Sequence, residues 1–273
     1  MATNKRWLVG CVGALAGVAT IAWGGLHIPS QRFPSHPQRT RDLGVVDVPG
    51  DLPTPVRRHF AATFGQQVPK IESAVIWGEA RWKVAGLWMP TRFEAIYLAG
   101  RDFYRAMEVT WFGRPILRGE EGYRNGQGAQ RLKGLVNRYG AGSKVTQAQN
   151  MAMWAEAMWL PTVYLVGERA RWEAVDEETA KLVFPLGEGE DHLRVAFDPQ
   201  TGLMWRMAGM RWRDDEARKI PWRVEFDSWR IFHPAIVPAR LIVSWGDAVG
   251  TYAILQAEGV EYNVNVDNAI LPI

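Results

Sequence analysis

The chain has 273 residues, of which 47% are hydrophobic and 22% are charged. This balance is typical of a globular protein and excludes a disordered, collagen-like or polytopic membrane protein. The single cysteine excludes an intramolecular disulfide framework and a cysteine-based zinc site. The formal net charge is +3, and Lys5 and Arg6 supply two of the basic groups, so the rest of the chain is nearly neutral. We therefore predict no nucleic-acid partner.

The N-terminus carries an apolar segment that favours a membrane helix. Residues 8–26 contain no charged residue, and as a helix they would span about 28 Å, close to the ~30 Å hydrocarbon core of a bilayer. Lys5 and Arg6 precede the segment, while Trp7 and Trp23 lie near its ends, where aromatic rings favour the membrane interface. We interpret residues 1–26 as a retained signal anchor that holds the remaining chain at the membrane, outside the cytoplasm.

Two alternatives exist for this segment. A cleaved signal peptide remains open, because Ala14-Leu15-Ala16 and the small residues after it could suit a signal peptidase. Leu8-Val9-Gly10-Cys11 resembles a lipobox, but the apolar core follows the cysteine instead of preceding it. The lipoprotein signal is therefore set aside.

A proline-rich linker follows at residues 27–51, with Pro29, Pro34, Pro37 and Pro49. Residues 52–273 are predicted to form a single antiparallel β domain with helices. Thr54-Pro55 opens its first helix with a hydroxyl cap and a proline at the first position, and Gly65 ends that helix.

Most of the domain follows the two-residue period of β-strands. Apolar and polar residues alternate over residues 103–111, 193–197, 203–207, 222–226, 241–245 and 260–266. Asp198-Pro199-Gln200-Thr201-Gly202 has turn chemistry and joins two of these segments into a hairpin. Arg105 is out of pattern in the first of them. Because the strands follow one another through short turns, the predicted fold is mainly β (α+β): a large curled antiparallel sheet, or half-barrel, with one or two packed helices.

One helix is predicted in the middle of the domain. Thr146-x-x-Gln149 matches a capping box, apolar residues then recur at helical spacing, and Pro161 ends the run. This helix is expected to pack against the concave face of the sheet.

The sequence contains no recognisable catalytic or metal-binding motif. The five histidines lack a partner at metal-ligand spacing and are interpreted as surface residues. Nucleophile-elbow, phosphate-loop and zinc-protease patterns are missing. We therefore predict no catalytic residue, no metal and no cofactor.

Glu156 is the most informative polar residue. It lies at the edge of the apolar stripe of the predicted helix, between Trp154 and Trp159. If it is buried, its charge needs a partner, for which Arg211 and Arg213 are the candidates. Glu156 is interpreted either as a polar anchor for the head group of a ligand or as part of a structural ion pair.

The aromatic and methionine content permits an apolar ligand site. There are 14 tryptophans, and those at 77, 82, 111, 205, 222 and 245 fall on predicted strands, where most should pack in the core. A minority, with the methionines, could line a pocket for a lipid or another lipophilic molecule. The candidate ligand-binding residues are Glu156, Trp159, Arg211, Arg213 and Trp222.

Short motifs along the chain resemble an uncharacterised bacterial family of similar length. They are Leu52-Pro53-x-Pro55-Val56-Arg57-Arg58, Trp88-x-Pro90, Glu156-x-x-Trp159-x-Pro161, Trp172-Glu173-Ala174-Val175-Asp176, Arg211-x-Arg213, Pro221-Trp222 and Pro238. The resemblance covers roughly residues 52–265. It implies no known activity. The predicted architecture is in turn similar to that of the LolA/LolB-type periplasmic lipoprotein carriers, in which helices plug the mouth of a curled sheet.

Three functions are compatible with these features. The first is a membrane-anchored envelope protein that binds or shields a lipophilic ligand in its half-barrel. The second is a non-catalytic subunit that contacts a neighbouring envelope protein through exposed tryptophans. The third is an enzyme whose site is not recognised, with Glu156 as a general acid. The sequence indicates no oligomeric state.

Overall fold

The computed structural model describes residues 2–28, 33, 43–134, 137–165, 169–213, 216–266, 269–270 and 273. Three α-helices occur in this part of the chain: α1 Ala2–Leu26, α2 Thr54–Phe64 and α3 Ser143–Glu156. Two 3-10 turns follow α3, at Ala157–Trp159 and Pro161–Tyr164. Most of the predicted linker lies outside the described residues.

Two antiparallel sheets are present. The small one pairs β1 Val45–Asp47 with β2 Gln67–Pro69. The large one contains β3 Ser73–Val84, β4 Leu87–Leu98, β5 Asp102–Trp111, β6 Arg114–Arg124, β7 Gln127–Gly134, β8 Arg138–Ala141, β9 Arg171–Ala174, β10 Thr179–Leu186, β11 Gly189–Phe197, β12 Met204–Arg211, β13 Ile220–Phe232, β14 Ala235–Trp245 and β15 Thr251–Tyr262. Its order is β8-β7-β6-β5-β4-β3-β15-β14-β13-β12-β11-β10-β9, so it is open, with β8 and β9 at its edges.

The large sheet curls around α3. This helix contacts β6, β7 and β8 near one edge of the sheet and β10, β11 and β12 near the other. In a flat sheet, at about 4.8 Å per strand, these two groups would lie too far apart for one helix roughly 10 Å wide to touch both. The predicted mainly β fold with a curled antiparallel sheet and packed helices is confirmed.

Local prediction was accurate for the elements and less accurate for their capping. The β11–β12 hairpin turns at the predicted Asp198–Gly202 segment, and Gly65 ends α2 with a φ of 77°. Neither helix has the predicted cap, because α3 begins at Ser143 after Gly142 and α2 shows no side-chain cap. The hydroxyl of Thr146 instead accepts the Gly128 N–H at 3.0 Å, which attaches α3 to β7.

The core has two unequal parts. The larger lies on the concave face between the sheet, α2, α3 and the 3-10 turns. The smaller lies on the convex face, where Val264, Val266 and Ile270 pack on Val75 and Ile96. The predicted strand over 260–266 therefore ends at Tyr262, and its last residues cover the outside of the sheet.

Helix α1 meets the β5–β6 turn at its C-terminal end. The carbonyl of Gly25 accepts the Phe112 N–H at 2.7 Å, and the carbonyl of Ala22 accepts the indole N–H of Trp111 at 3.1 Å. Within the described residues, no helix is both long enough and apolar enough to cross a membrane. The transmembrane character of residues 8–26 stays a prediction.

Candidate functional site

The candidate site lies along α3, whose side chains from Gln147 to Glu156 are all buried. Polar contacts attach the helix to the β10–β11 flank of the sheet. The Gln147 amide nitrogen donates to Asp191 at 2.7 Å, and the Asn150 amide nitrogen donates to the Pro185 carbonyl at 2.8 Å. Two further clusters, each containing a buried arginine, hold the predicted site residues.

The first cluster surrounds Glu156, which is 1% exposed. One carboxylate oxygen accepts a hydrogen bond from the guanidinium of Arg105, and the other accepts one from the hydroxyl of Tyr97. Arg105 also donates through Nε to Glu121 at 2.9 Å. Arg105, not Arg211 or Arg213, is therefore the ionic partner of Glu156 in the described part of the chain, and the predicted pairing is wrong.

Burial and charge set the protonation of this first cluster. Burial raises the pKa of Tyr97 well above 10, and the Glu156 carboxylate raises it further, so the phenol stays a donor. Burial alone would lower the pKa of Arg105, but Glu121 and Glu156 raise it well above its ordinary value. Burial would likewise raise the pKa of Glu121, yet Arg105 and Arg211 hold it below its ordinary value. Arg105 and Glu121 are therefore both charged at neutral pH.

Trp159 lies next to this cluster in the core. Its ring is fully buried, its indole N–H donates to the Pro238 carbonyl at 2.9 Å, and its centroid is 6.1 Å from that of Tyr97. Tyr97 thus links the two predicted residues Glu156 and Trp159. Neither of them lies at an opening of the half-barrel.

The second cluster surrounds Arg211, near the first half of α3. Its guanidinium lies over the rings of Trp222 and Trp245, at 4.7 and 5.5 Å from their centroids. It donates through Nε to the Ala148 carbonyl at 2.9 Å and through a terminal nitrogen to the Tyr252 hydroxyl at 3.1 Å. Arg211 is 5% exposed, so its charge is stabilised at close range by the faces of the two indole rings and by the dipoles of the Ala148 carbonyl and the Tyr252 hydroxyl.

Arg213 borders this second cluster without being enclosed by it. Its guanidinium lies 5.3 Å from the Trp245 centroid and pairs with Glu216 and Asp247, both at 2.8 Å. The structure therefore brings Arg211, Arg213 and Trp222 together and keeps them apart from the pair of Glu156 and Trp159.

Sequence reasoning missed Arg105, Glu121 and Tyr97. One signal was present, because Arg105 interrupts the alternation of β5 on the side that faces the core. An arginine at an inward position of an alternating strand indicates a buried anion nearby. Its partner Glu156 lies 51 residues away, and no local pattern identifies it.

Two further predictions need correction. His59 is not a surface residue: it is 2% exposed, and its Nδ1 accepts the Met204 N–H at 3.1 Å. Burial lowers its pKa to about 3. Among the tryptophans of the strands, Trp222 and Trp245 are buried as predicted, Trp77 and Trp82 are half-buried, and Trp111 and Trp205 are exposed.

The contact between α3 and the sheet is apolar and rich in methionine. Met151 and Met158 on the helical side and Met107, Met204 and Met207 on the sheet are all buried in the main core. Beside the first turn of α3 lies an open cleft of about 600 Å³, lined by Tyr123, Gly128, Ser143 and Thr146 among others. In the described part of the chain, no group of acidic, histidine or cysteine side chains could hold a metal ion.

Comparison with known proteins gives the family. Residues 47–257 match a family of unknown function, DUF6544. The chain belongs to this family. The predicted membership of an uncharacterised family is thereby confirmed for this DUF6544 protein, and no curated protein matches its sequence significantly.

Several solved structures resemble the DUF6544 chain. A LolA superfamily protein from Nitrosomonas europaea is 9% identical, with a TM-score of 0.46 over 80% of this chain and 96% of that one. A DUF1329 family protein from Desulfovibrio piger is 14% identical, with a TM-score of 0.43 over 73% and 89%. A domain named as an outer membrane lipoprotein-sorting protein, from Vibrio parahaemolyticus, is 11% identical, with a TM-score of 0.41 over 72% and 88%.

Proposed function

We propose that this protein is attached to a membrane of the cell envelope through α1 and binds a lipophilic ligand between α3 and the concave face of its sheet. The observation that carries the proposal is the methionine- and aromatic-lined contact between α3 and the sheet. Methionine side chains are flexible and polarisable, so a surface of this kind can separate and repack around an acyl chain. A core built only to specify one packing would favour branched aliphatic residues instead.

The ligand would enter where the first turn of α3 meets β6 and β7. The open cleft at this position, about 600 Å³, is within the size range of small-molecule sites. The contact between α3 and β7 is very close here, since a Cβ on Gly128 would come within 2.7 Å of the Thr146 Cα. To pass from the cleft into the contact between α3 and the sheet, a ligand would therefore have to displace α3 from β7.

The predicted site residues take different roles in this proposal. Glu156 and Trp159 are buried at the far end of α3, so they hold the helix and its following turn in place. Arg211 and Trp222 flank the half of α3 that borders the cleft, and we assign them to the ligand-facing wall. Arg211 would attract the polar end of an anionic ligand, because no carboxylate pairs directly with it in the described chain and Glu121, whose pKa it helps to lower, is paired with Arg105.

Membrane attachment rests on α1. Leu15, Val18, Ile21 and Trp23 are each at least 60% exposed, so one helix presents a continuous apolar surface that its own domain does not cover. Such surfaces mark contact with a membrane or a partner protein. Lys5 and Arg6 at the start of the segment favour an N-terminus in the cytoplasm and a domain outside it.

Photocrosslinking of a diazirine fatty acid to the full-length protein in vesicles tests the ligand site. Labelled peptides from α3 and β12 are expected, in addition to those from α1. Met207→Trp fills the inner face and should abolish the β12 label, whereas Met210→Trp, on the exposed face of the same strand, should leave it unchanged. Thermal unfolding of both variants checks that they fold. If Met207→Trp does not fold, Met204→Trp replaces it as the variant that fills the inner face. Labelling confined to α1 would refute the proposal.

A further inference from the structure

Three turns carry exposed apolar side chains at the same end of neighbouring strands. They form one edge of the large sheet that runs across the strands, not along the outermost strands β8 and β9. The β5–β6, β3–β4 and β14–β15 turns are neighbours along this edge, because the strand order is β6-β5-β4-β3-β15-β14. Trp111, Phe112, Leu87 and Val249 lie at these turns and are between 38% and 69% exposed. We call these three turns the apolar edge.

The opposite ends of the same strands differ. The β6–β7 turn consists of Asn125-Gly126, and the β4–β5 turn contains Gly100 and Arg101. One exposed apolar side chain does occur at that end, Ile231 beside the β13–β14 turn, but it is single, whereas the apolar residues of the first three turns are on neighbouring hairpins. They are collected where the edge also meets α1.

Phe112 is the least expected of these residues. It occupies the first position of the two-residue Phe112-Gly113 turn with a φ of 48°, a conformation that asparagine, aspartate and glycine adopt more readily. A bulky side chain in the left-handed region is energetically unfavourable. Turn geometry therefore does not explain an aromatic residue here. The ring packs instead against Gly25 of α1 and the ring of Trp111.

The end of α1 lies at this contact. Gly25 and Ala22, in the last turns of α1, accept hydrogen bonds from Phe112 and Trp111, so the exposed apolar helix leaves the domain at the apolar edge. Trp23 is exposed beside them. Aromatic rings at the end of an apolar helix are typical of the membrane interface.

The charges of this edge fit an anionic lipid surface. Arg114 is exposed within the β5–β6 hairpin, and Lys83 precedes the β3–β4 turn with its ammonium 3.3 Å from the Val249 carbonyl. Asp247, in the β14–β15 turn, is paired with Arg213 at 2.8 Å. Basic groups beside exposed apolar residues attract anionic headgroups.

We propose that the apolar edge lies on the bilayer surface, with Leu87, Trp111 and Phe112 in the headgroup layer. The inference rests on the proposed attachment of α1 to a membrane. It adds an orientation for the domain, because the hairpin turns at the opposite edge then point away from the lipid.

The test uses the full-length protein with Cys11→Ala and one new cysteine carrying an environment-sensitive fluorophore. Leu87→Cys and Val249→Cys report on the apolar edge. Asn125→Cys is the matched control at an opposite turn, and Ile231→Cys controls for an exposed apolar site elsewhere. The protein is placed in vesicles of phosphatidylcholine and phosphatidylglycerol, with and without spin-labelled lipid.

Labels at Leu87 and Val249 are expected to lose more than about half of their fluorescence with spin-labelled lipid, while both control labels lose little. Leu87→Ser combined with Phe112→Asn, neither of which alters the core, should lower the quenching at Val249. Equal quenching of the labels at both edges would overturn the proposal. Labels at the apolar edge that are shielded from water but not quenched by lipid would also overturn it, in favour of a protein partner. Flotation of the protein with the vesicles is measured separately. Protein that floats with unquenched labels refutes the orientation alone, and protein that does not float refutes membrane attachment as well.

Discussion

Arg105 and Arg211 are both buried on the concave face of the sheet, and they hold α3 from different strands in different ways. Arg105 contacts two carboxylates, Glu121 and Glu156. Arg211 contacts two indole rings, a backbone carbonyl and a tyrosine hydroxyl. The first cation is paired directly with carboxylates, whereas the second is not: Glu121 interacts with Arg211 electrostatically but is paired with Arg105. The Arg105 cluster is therefore suited to stability, and the Arg211 cluster can still attract an anion.

The largest effect is expected from Arg105→Met. Removing the cation leaves the buried Glu156 and the half-buried Glu121 without their partner, which should lower the free energy of unfolding by roughly 3–5 kcal/mol. Denaturant titration of the full-length protein measures the loss. Adding Glu156→Gln to Arg105→Met should recover part of it, because one buried charge is then removed. A loss no larger than that of a surface variant would contradict the assignment of Arg105 as the main ionic partner.

His59 adds a third buried basic side chain, one that is kept neutral. Its folded pKa is about 3, against an ordinary value of 6.5. Between these values the unfolded chain binds the additional proton, so stability is complete above about pH 6.5 and falls as the pH is lowered, by at most about 1.4 kcal/mol per pH unit. Unfolding measured between pH 7 and about pH 5 tests this, since carboxyl groups contribute mainly below that range.

The control for this pH dependence is His59→Asn. Asparagine can still accept the Met204 N–H through its side-chain oxygen, but it does not titrate. Its unfolding free energy should change less with pH over the same window. A wild-type slope that survives in His59→Asn would show that another group is responsible.

A smaller effect is expected from Arg211→Met. Methionine fills much of the same space but leaves the Ala148 carbonyl and the Tyr252 hydroxyl without their donor, which should cost about 1–3 kcal/mol of stability. The comparison with Arg105→Met is then direct, because both variants remove one buried arginine. If Arg211→Met proves the more destabilising, the distinction between the two clusters fails. In the fatty-acid crosslinking experiment, Arg211→Met should also reduce labelling more than Arg105→Lys does.

The smallest effect is expected from Arg213→Gln. Arg213 keeps part of its side chain in solvent and pairs with the exposed carboxylates Glu216 and Asp247. Partly exposed pairs of this kind contribute about 0–1 kcal/mol, so the unfolding midpoint should barely move. A loss as large as that of Arg211→Met would place Arg213 inside the functional cluster.

The elements of the fold were readable from the sequence, while the site was readable only in part. Alternation predicted six of the strands, and helical spacing predicted α3 and placed Glu156 at the edge of its apolar stripe, with its burial left open. The capping box at Thr146 was wrong because Gly142 precedes α3 and the Thr146 hydroxyl is used by Gly128. The ionic partner of Glu156 was wrong because Arg105 and Arg211 are both inward-facing arginines, and sequence alone does not rank their distances to α3.

By itself, the sequence determined the mainly antiparallel sheet, the helix that plugs it and an apolar N-terminal segment. These features follow from local periodicity and from the burial that each period requires. Only the tertiary structure decided that α3 is enclosed by both flanks of the sheet, that Glu156 meets Arg105, and that the apolar hairpin turns share an edge with the end of α1. These are contacts between residues far apart in the chain. They depend on the curl and register of thirteen strands, which no local pattern records.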